Sequence, residues 1–402
     1  MSHKALELSL IATLASAVGE AISRRARTGS YRYPVTLGLL IICGLGLFGC
    51  AVHRPKQQAR HSADIRAVPA GGQELRGRAV SPAEVVASEP CWSPEGSMIA
   101  FRVGKTTGAA STGLVMQAAG FMIIEAATGK VLGQAPGTAF DWCGENALLW
   151  QNGNTQRMDV RTGLSHPSRI EGIGPICSAN GRKIALQRDG SRRWVLVIVD
   201  QSGARTAVVA RGTEELESFT YEWSPSARYL AVADWKPDGV LPRRDWVRIF
   251  TAKGQVVRAV PRSIRTTSAG HLVSWTPDES EVVYGCRTRA GCAVCALPLD
   301  DTRPPRVLIR TPERDIWGVR TSPNGRWLTY CAGSPPVEDL RPRYGRIYLF
   351  NLSTRQVSAH TQDPEKDTSG YGAVWSPDSG QLAYAAKGVI YVATVRVPGR
   401  SP

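Results

Sequence analysis

The sequence has little of the residue most often used for proton transfer and metal binding. Only six histidines occur in 402 residues, and those beyond residue 80 are His166, His271 and His360. None of these three has a serine or cysteine beside it in a recognisable catalytic arrangement. His-Glu-x-x-His, phosphate-loop, dinucleotide and Gly-x-Ser-x-Gly motifs are all missing. We therefore expect no enzyme activity, no catalytic or metal-binding residue and no cofactor.

Long apolar runs are also scarce. No stretch after Val52 is apolar for the ~20 residues that a membrane span requires. The strongest run, Pro34–Cys50, is uncharged but short, and it follows a basic segment at residues 24–32. A basic region followed by a short apolar region and small residues is typical of an export signal. We assign residues 1–49 to such a signal or to a membrane anchor.

The end of this run, Leu47-Phe48-Gly49-Cys50, resembles the bacterial lipoprotein lipobox. The resemblance implies that Cys50 is the lipid attachment site and that the protein is a membrane-tethered lipoprotein of the cell envelope, facing the periplasm or the exterior. Because Ala51 follows Cys50, it also implies the outer membrane in a Gram-negative host. An uncleaved signal anchor over residues 34–52 is the alternative.

Charge of one sign dominates the chain, with a formal net charge of +15 at pH 7. In an exported protein, this excess favours anionic envelope polymers or acidic protein faces as partners. Lysine and arginine do not interleave with aromatic residues as they do in nucleic-acid patches, so we expect no nucleic-acid partner. Residues 50–79 contain few large apolar side chains and no periodicity, and we interpret them as a flexible tether.

A short motif, in its fullest form Trp-Ser-Pro-Glu-Gly before an apolar strand, recurs along the rest of the chain. Its seven copies begin at Trp92, Trp142, Cys177, Trp223, Trp275, Thr321 and Trp375. Six of them are followed by a strand, a polar turn and a further strand, as in FMIIEAATGKVLG. Each copy thus supplies four strands at a period of roughly 45 residues, which is typical of a β-propeller blade.

The repeat predicts an all-β chain with a single β-propeller of seven four-stranded blades over residues 80–398. Six or eight blades are the alternatives, because the second and third copies are degenerate. The last copy lacks its outer strand, and the segment Arg76–Ser88 is expected to supply it and close the ring. The motif tryptophans are expected to be wedges between adjacent blades.

The motif resembles the PD40 (WD40-like) repeat of TolB-type propellers, although TolB carries an α/β domain ahead of its propeller. The resemblance implies a non-catalytic scaffold that binds an envelope protein, since TolB binds a peptidoglycan-associated lipoprotein at its channel. Two alternatives stay open. One is a hydrolase or lyase with its site in the central channel, and the other is a signal-anchored extracytoplasmic sensor domain.

Seven cysteines follow Cys50. Cys286 and Cys292 flank the turn RTRAG, and in an oxidising compartment this spacing predicts a cross-strand disulfide. Pairing of Cys286 or Cys331 between neighbouring blades is the alternative. Cys292 and Cys295 lie three apart on a predicted strand, so they face opposite sides and form a poor zinc chelate. Cys91, Cys143 and Cys177 are expected to be buried free thiols.

Overall fold

The computed structural model describes the chain from residue 73 to residue 395, with gaps. The described residues are 73–110, 113–137, 139–152, 154–189, 194–211, 218–235, 246–261, 273–288, 291–311, 315–334, 344–361 and 372–395. They contain strands and turns but no helix, and accordingly no helix that could cross a membrane. The predicted export signal, the lipidation candidate Cys50 and the tether up to residue 72 lie outside these residues.

The strands form seven sheets in chain order, which we number as blades 1 to 7. Two short strands come first, β1 (Gln73–Glu74) and β2 (Gly77–Ala79). Blade 1 consists of β3 (Val86–Trp92), β4 (Met98–Ala110), β5 (Gly113–Glu125) and β6 (Val131–Ala135). Blade 2 consists of β7 (Ala139–Trp142), β8 (Ala147–Asn152), β9 (Asn154–Asp159) and β10 (Ser165–Pro167). Blade 3 consists of β11 (Ile173–Cys177), β12 (Lys183–Asp189), β13 (Trp194–Asp200) and β14 (Arg205–Arg211).

The remaining blades repeat this arrangement. Blade 4 consists of β15 (Ser218–Trp223), β16 (Tyr229–Trp235), β17 (Trp246–Thr251) and β18 (Val256–Pro261). Blade 5 consists of β19 (Val273–Trp275), β20 (Glu281–Thr288), β21 (Gly291–Pro298) and β22 (Arg306–Arg310). Blade 6 consists of β23 (Asp315–Thr321), β24 (Trp327–Ser334), β25 (Tyr344–Asn351) and β26 (Gln356–His360). Blade 7 consists of β27 (Val374–Trp375), β28 (Gln381–Ala386) and β29 (Val389–Thr394), with β2 as its outer strand.

The ring closes through its N-terminal strands. Strand β2 pairs antiparallel with β29, with Gly77 opposite Ala393 and Ala79 opposite Tyr391. The seven-bladed propeller and its closure by an N-terminal strand are confirmed. Strand β1 adds a parallel fifth strand to blade 6 beside β26. Their composition assigned residues 73–79 to the flexible tether. Their backbone pairs with β26 and β29 instead, so the propeller begins before residue 80.

Apolar layers between neighbouring blades make up the core. Between blades 4 and 5, for example, Ala233, Val247 and Ile249 pack against Val282 and Leu297, and all five side chains are fully buried. A strand in such a layer is covered on both faces, which is why the central strands read as continuous apolar runs. Burying each large aliphatic side chain contributes about 1.5–3 kcal/mol.

The residue after each motif position closes the turn between the first two strands of its blade. In six blades it is a serine or threonine whose hydroxyl accepts a hydrogen bond from the backbone N–H five residues on. The pairs are Ser93 with Met98, Ser178 with Lys183, Ser224 with Tyr229, Thr276 with Glu281, Ser322 with Trp327 and Ser376 with Gln381. Blade 2 has Cys143 at this position, and its turn is one residue shorter because the Cys143 N–H bonds the Ala147 carbonyl.

The motif tryptophans join adjacent blades. Each donates its indole N–H to a backbone carbonyl of the preceding blade, at 3.0–3.4 Å. The donor and acceptor pairs are Trp92 with Val374, Trp142 with Cys91, Trp223 with Ile176, Trp275 with Glu222 and Trp375 with Arg320. All five rings are buried, so they are structural and unavailable to a ligand.

Candidate functional site

The residue directly before each motif position forms a ring around the central channel. The seven members are Cys91, Asp141, Ile176, Glu222, Ser274, Arg320 and Val374. Side chains of non-adjacent blades meet here, which is possible only at the axis of the propeller. The sequence carried a signal for this ring, since the polar residues occupy one fixed position relative to the motif. Sequence reasoning missed it because that position belongs to an otherwise apolar repeat.

One side of the ring is an ion pair that spans two blades. Arg320 of blade 6 pairs with Glu222 of blade 4, and the hydroxyl of Ser274 in blade 5 donates to the same carboxylate at 3.3 Å. Both charged side chains are about one-fifth exposed. Burial raises the pKa of Glu222, while the Arg320 guanidinium opposes that rise. The pair therefore neutralises most of the charge on this side of the channel.

The other side of the ring is centred on Asp141. One carboxylate oxygen accepts the backbone N–H of Cys177 at 2.8 Å, and the other lies 3.9 Å from the sulfur of Cys91. Burial raises the pKa of Asp141 to about 7, against the lowering effect of these bonds and of Arg320. Burial also raises the pKa of the Cys91 thiol, so Cys91 is a neutral thiol and a poor nucleophile.

A disulfide joins blade 2 to blade 3 where the motif has no tryptophan. Cys177 occupies the tryptophan position of blade 3, Cys143 occupies the serine position of blade 2, and their Cα atoms are 5.2 Å apart. The expectation of free thiols at these two positions was wrong. The covalent bond connects adjacent blades here, in place of an indole hydrogen bond, and brings two cysteines 34 residues apart in the chain into contact.

A second disulfide corrects the pairing predicted for blade 5. Cys286 bonds to Cys295, with Cα atoms 6.0 Å apart, and not to Cys292. In the β20–β21 ladder, Cys286 lies opposite Ala293, and Cys292 lies opposite Arg287. Cys286 and Cys295 therefore share one face of the sheet, whereas Cys292 points to the other. Cys292 packs in the core layer between blades 5 and 6.

The face that carries the motif turns, here the motif face, has a cleft of about 970 Å³ beside blade 2. The cleft is lined by Pro94, Glu95, Cys143, Gly144, Glu145, Asn146, Ala147, Arg157, Asp159, Thr162, Leu164, His166, Ala179, Asn180, Gly181 and Gln201. These residues come from turns of blades 1, 2 and 3 and from the outer strands of blade 2. We call this feature the blade-2 cleft.

Local departures from the blade motif produce the blade-2 cleft. The first turn of blade 2 is shortened at Cys143, and the outer strand β10 has only three residues, all exposed. His166 lies on β10, and Leu164, just before it, is 59% exposed. A full-length turn and a longer outer strand would occupy the space that the cleft leaves open.

The ionisable side chains of the blade-2 cleft are only partly used within the protein. Asp159 accepts the backbone N–H groups of Thr162 and Arg161, which lower its pKa. The side chains of Glu145, Arg157 and His166 have no hydrogen-bond or ion-pair partner among the described residues. Throughout the described chain, no group of three or more histidine, cysteine, aspartate and glutamate side chains is placed to hold a metal ion.

No protein-family model and no curated protein matches this sequence. Solved structures do match the fold. The β-propeller domain of Cps50 (Swd1) from Myceliophteria thermophila has a TM-score of 0.53 at 14% identity, covering 79% of this chain and 98% of that domain. Hydrazine synthase of Kuenenia stuttgartiensis has a TM-score of 0.55 at 14% identity, and the match covers 80% of this chain and 99% of the hydrazine synthase chain.

The C-terminal WD40 domain of Sif2 has a TM-score of 0.50 at 14% identity, covering 77% of this chain and 82% of that domain. One of the three is an enzyme, so the shared architecture does not separate a scaffold from a catalyst. At 14% identity these likenesses establish the fold alone: the chain is a seven-bladed β-propeller similar to WD40 domains.

Proposed function

We propose that this protein is a non-catalytic binding scaffold of the cell envelope, tethered to a membrane through its N-terminal segment and holding a protein partner on its motif face. The observation that carries the proposal is a contrast between two places. The charged side chains in the channel are engaged within the protein, Glu222 by Arg320 and Asp141 by the backbone N–H of Cys177. In the blade-2 cleft, by contrast, the side chains of Glu145, Arg157 and His166 have no partner among the described residues.

The channel supports catalysis less well than binding. Its two carboxylates, Asp141 and Glu222, could in principle act as an acid and a base, and the pKa of Asp141 lies near 7. Glu222, however, is held by Arg320 and Ser274, and the ring position contains no histidine. Cys91 is not activated, because burial raises its pKa. A ring whose two carboxylates are both hydrogen-bonded within the protein fits a scaffold better than an active site.

Tethering is supported by the sequence. The lipobox-like Leu47-Phe48-Gly49-Cys50 provides a lipidation site, and the polar segment that follows provides length to stand off a membrane. A palmitate analogue fed to cells tests this element. Labelling of the wild type and its loss in Cys50→Ser are expected, whereas unchanged labelling in the variant would reject lipidation at Cys50.

Site-specific photo-crosslinking tests the binding role. A photoreactive residue at position 164, inside the blade-2 cleft, is compared with one at position 256 on the outer strand of blade 4, where Val256 is 60% exposed. In intact cells, position 164 is expected to capture a defined partner that mass spectrometry identifies, and position 256 is not. Failure of capture at 164, or the same products at both positions, would reject the proposal.

A further inference from the structure

We propose that the blade-2 cleft binds a cationic peptide segment, which brings lysine or arginine side chains to Glu95, Glu145 and Asp159. This inference rests on the proposed function, since it names the chemistry of the partner that the scaffold holds. It adds a ligand class that neither the fold nor the comparisons indicate.

The size and lining of the cleft suit a polar chain segment. Its volume of about 970 Å³ is at the upper end of the ~300–1,000 Å³ typical of ligand sites. The partly exposed Gly144 adds backbone groups to the lining, and the Asn146 amide adds a donor and an acceptor. The Gln201 amide nitrogen donates to the Gly181 carbonyl at 2.9 Å, which leaves the Gln201 amide oxygen for a ligand. Leu164 offers an apolar surface for the methylene stem of a lysine.

Acidic residues in the other first turns, Glu95 of the cleft included, are engaged in closing their own turns: Glu95 accepts the Ser97 hydroxyl at 3.0 Å. Asp278 accepts the Ser280 N–H and hydroxyl, and Asp378 accepts the Gly380 N–H and the Ser376 hydroxyl. Glu145 holds the corresponding place in the blade 2 turn and accepts no hydrogen bond from a described residue. Its charge is therefore available to a ligand.

The described residues that line the blade-2 cleft carry a net negative charge, whereas the whole protein is positively charged. The chain carries a net charge of +15, yet among the described residues that line the cleft Glu95, Glu145 and Asp159 outnumber the one cation, Arg157. Hydrogen bonds that lower the pKa of Asp159 keep it anionic at neutral pH. At physiological ionic strength charges act over about 8 Å, so a ligand inside the cleft experiences these carboxylates, with Arg157 and with Arg161 beside Asp159, more than the arginines of the other blades.

A peptide fits the lining better than an oligosaccharide. No tryptophan, tyrosine or phenylalanine is among the described residues that line the cleft, and sugar rings are commonly held by stacking on such faces. An anionic ligand is disfavoured by the three carboxylates. A basic peptide satisfies the carboxylates with its side chains and the amides with its backbone.

Fluorescence anisotropy on the full-length protein tests this inference. The probes are a fluorescein-labelled octapeptide of alternating lysine and glycine, its counterpart with glutamate in place of lysine, and labelled chitohexaose. The cleft variant combines Glu95→Gln with Glu145→Gln. The matched control combines Glu84→Gln with Asp301→Asn, which removes the same charge from exposed residues outside the cleft lining. Unchanged circular dichroism of both variants verifies folding.

The wild type and the control are expected to bind the lysine peptide equally, and the cleft variant roughly tenfold more weakly, as loss of two ion pairs predicts. Binding of a cationic probe to a protein of net charge +15 is itself evidence of a local acidic site. Absence of lysine-peptide binding, equal loss in both variants, or cleft-dependent binding of chitohexaose would overturn the inference. If peptide binding fails while crosslinking at position 164 persists, the scaffold role stands and only the cationic partner falls.

Discussion

Arg320 of blade 6 and Glu222 of blade 4 form an ion pair across the channel, although 98 residues separate them in the chain. Blade 5 contributes only a serine hydroxyl at the same level, through Ser274. The pair therefore links two blades that are not neighbours, and it stabilises the ring only when all three blades are in place.

Breaking this pair is expected to destabilise the propeller. Arg320→Met leaves the largely buried Glu222 without its counter-charge, and we expect a loss of about 1–3 kcal/mol in the free energy of unfolding. The control is Arg303→Met, which breaks the exposed pair with Asp300 and should cost less than about 1 kcal/mol. Urea unfolding measures both, and equal losses would contradict the linking role of Arg320.

Asp141 is expected to make stability depend on pH. Its pKa is about 7 in the folded protein and ~4 when unfolded. The folded state thus holds the proton more tightly. The resulting contribution to the free energy of unfolding is fully present below about pH 4 and is lost as pH rises through 7. Asp141→Asn should resemble the wild type at about pH 4 but be more stable at pH 8, by at most about 4 kcal/mol. Thermal unfolding across this range, with Asp301→Asn as control, measures the effect. A wild type and Asp141→Asn variant with parallel pH profiles would show that Asp141 does not titrate there.

The disulfide of blade 5 gives a prediction that distinguishes two neighbouring cysteines. Cys292→Ser should keep the Cys286–Cys295 bond, and Cys295→Ser should lose it. Thiol counting under denaturing conditions, without reductant, reads this as one fewer free thiol in the first variant and one more in the second. The reverse pattern would support the Cys286–Cys292 pairing predicted from the sequence.

The bond between blades 2 and 3 is expected to stabilise more than the bond within blade 5. Cys143–Cys177 closes a loop of 34 residues and Cys286–Cys295 a loop of nine, and loop entropy predicts about 3–4 and ~2.5 kcal/mol, respectively. Replacing both cysteines of each pair by serine, followed by urea unfolding, compares them. A larger loss for the blade 5 pair would argue against the structural role of Cys143 and Cys177.

Alanine substitutions at two hairpin glycines distinguish the cost of backbone strain from the cost of close packing between blades. Gly254 and Gly163 both have φ in the left-handed region, at 81° and 71°. A Cβ at Gly254 would lie 2.5 Å from the Val208 carbonyl oxygen of blade 3, whereas one at Gly163 would meet nothing within 4 Å. Gly163→Ala should cost about 1–2 kcal/mol, and Gly254→Ala clearly more. Equal unfolding free energies would mean that the turn of blade 4 can shift away from blade 3.

The sequence by itself determined the repeating unit of this protein. Turn serines, hairpin turns and apolar strands recur within about ten residues of one another. Local chemistry therefore predicts each four-stranded blade, and the number of repeats predicts the number of blades. The missing outer strand of the last copy even indicated where the chain closes, and β2 fills that place.

Only the tertiary structure decided which side chains meet. Ring closure brings position-equivalent residues of different blades to one axis, so Glu222 finds Arg320 and Asp141 finds Cys91. Strand register, not spacing along the chain, selected Cys295 as the partner of Cys286. The blade-2 cleft likewise arises from a shortened turn and a short strand seen against their neighbours, because a cavity is a property of several blades together and of none alone.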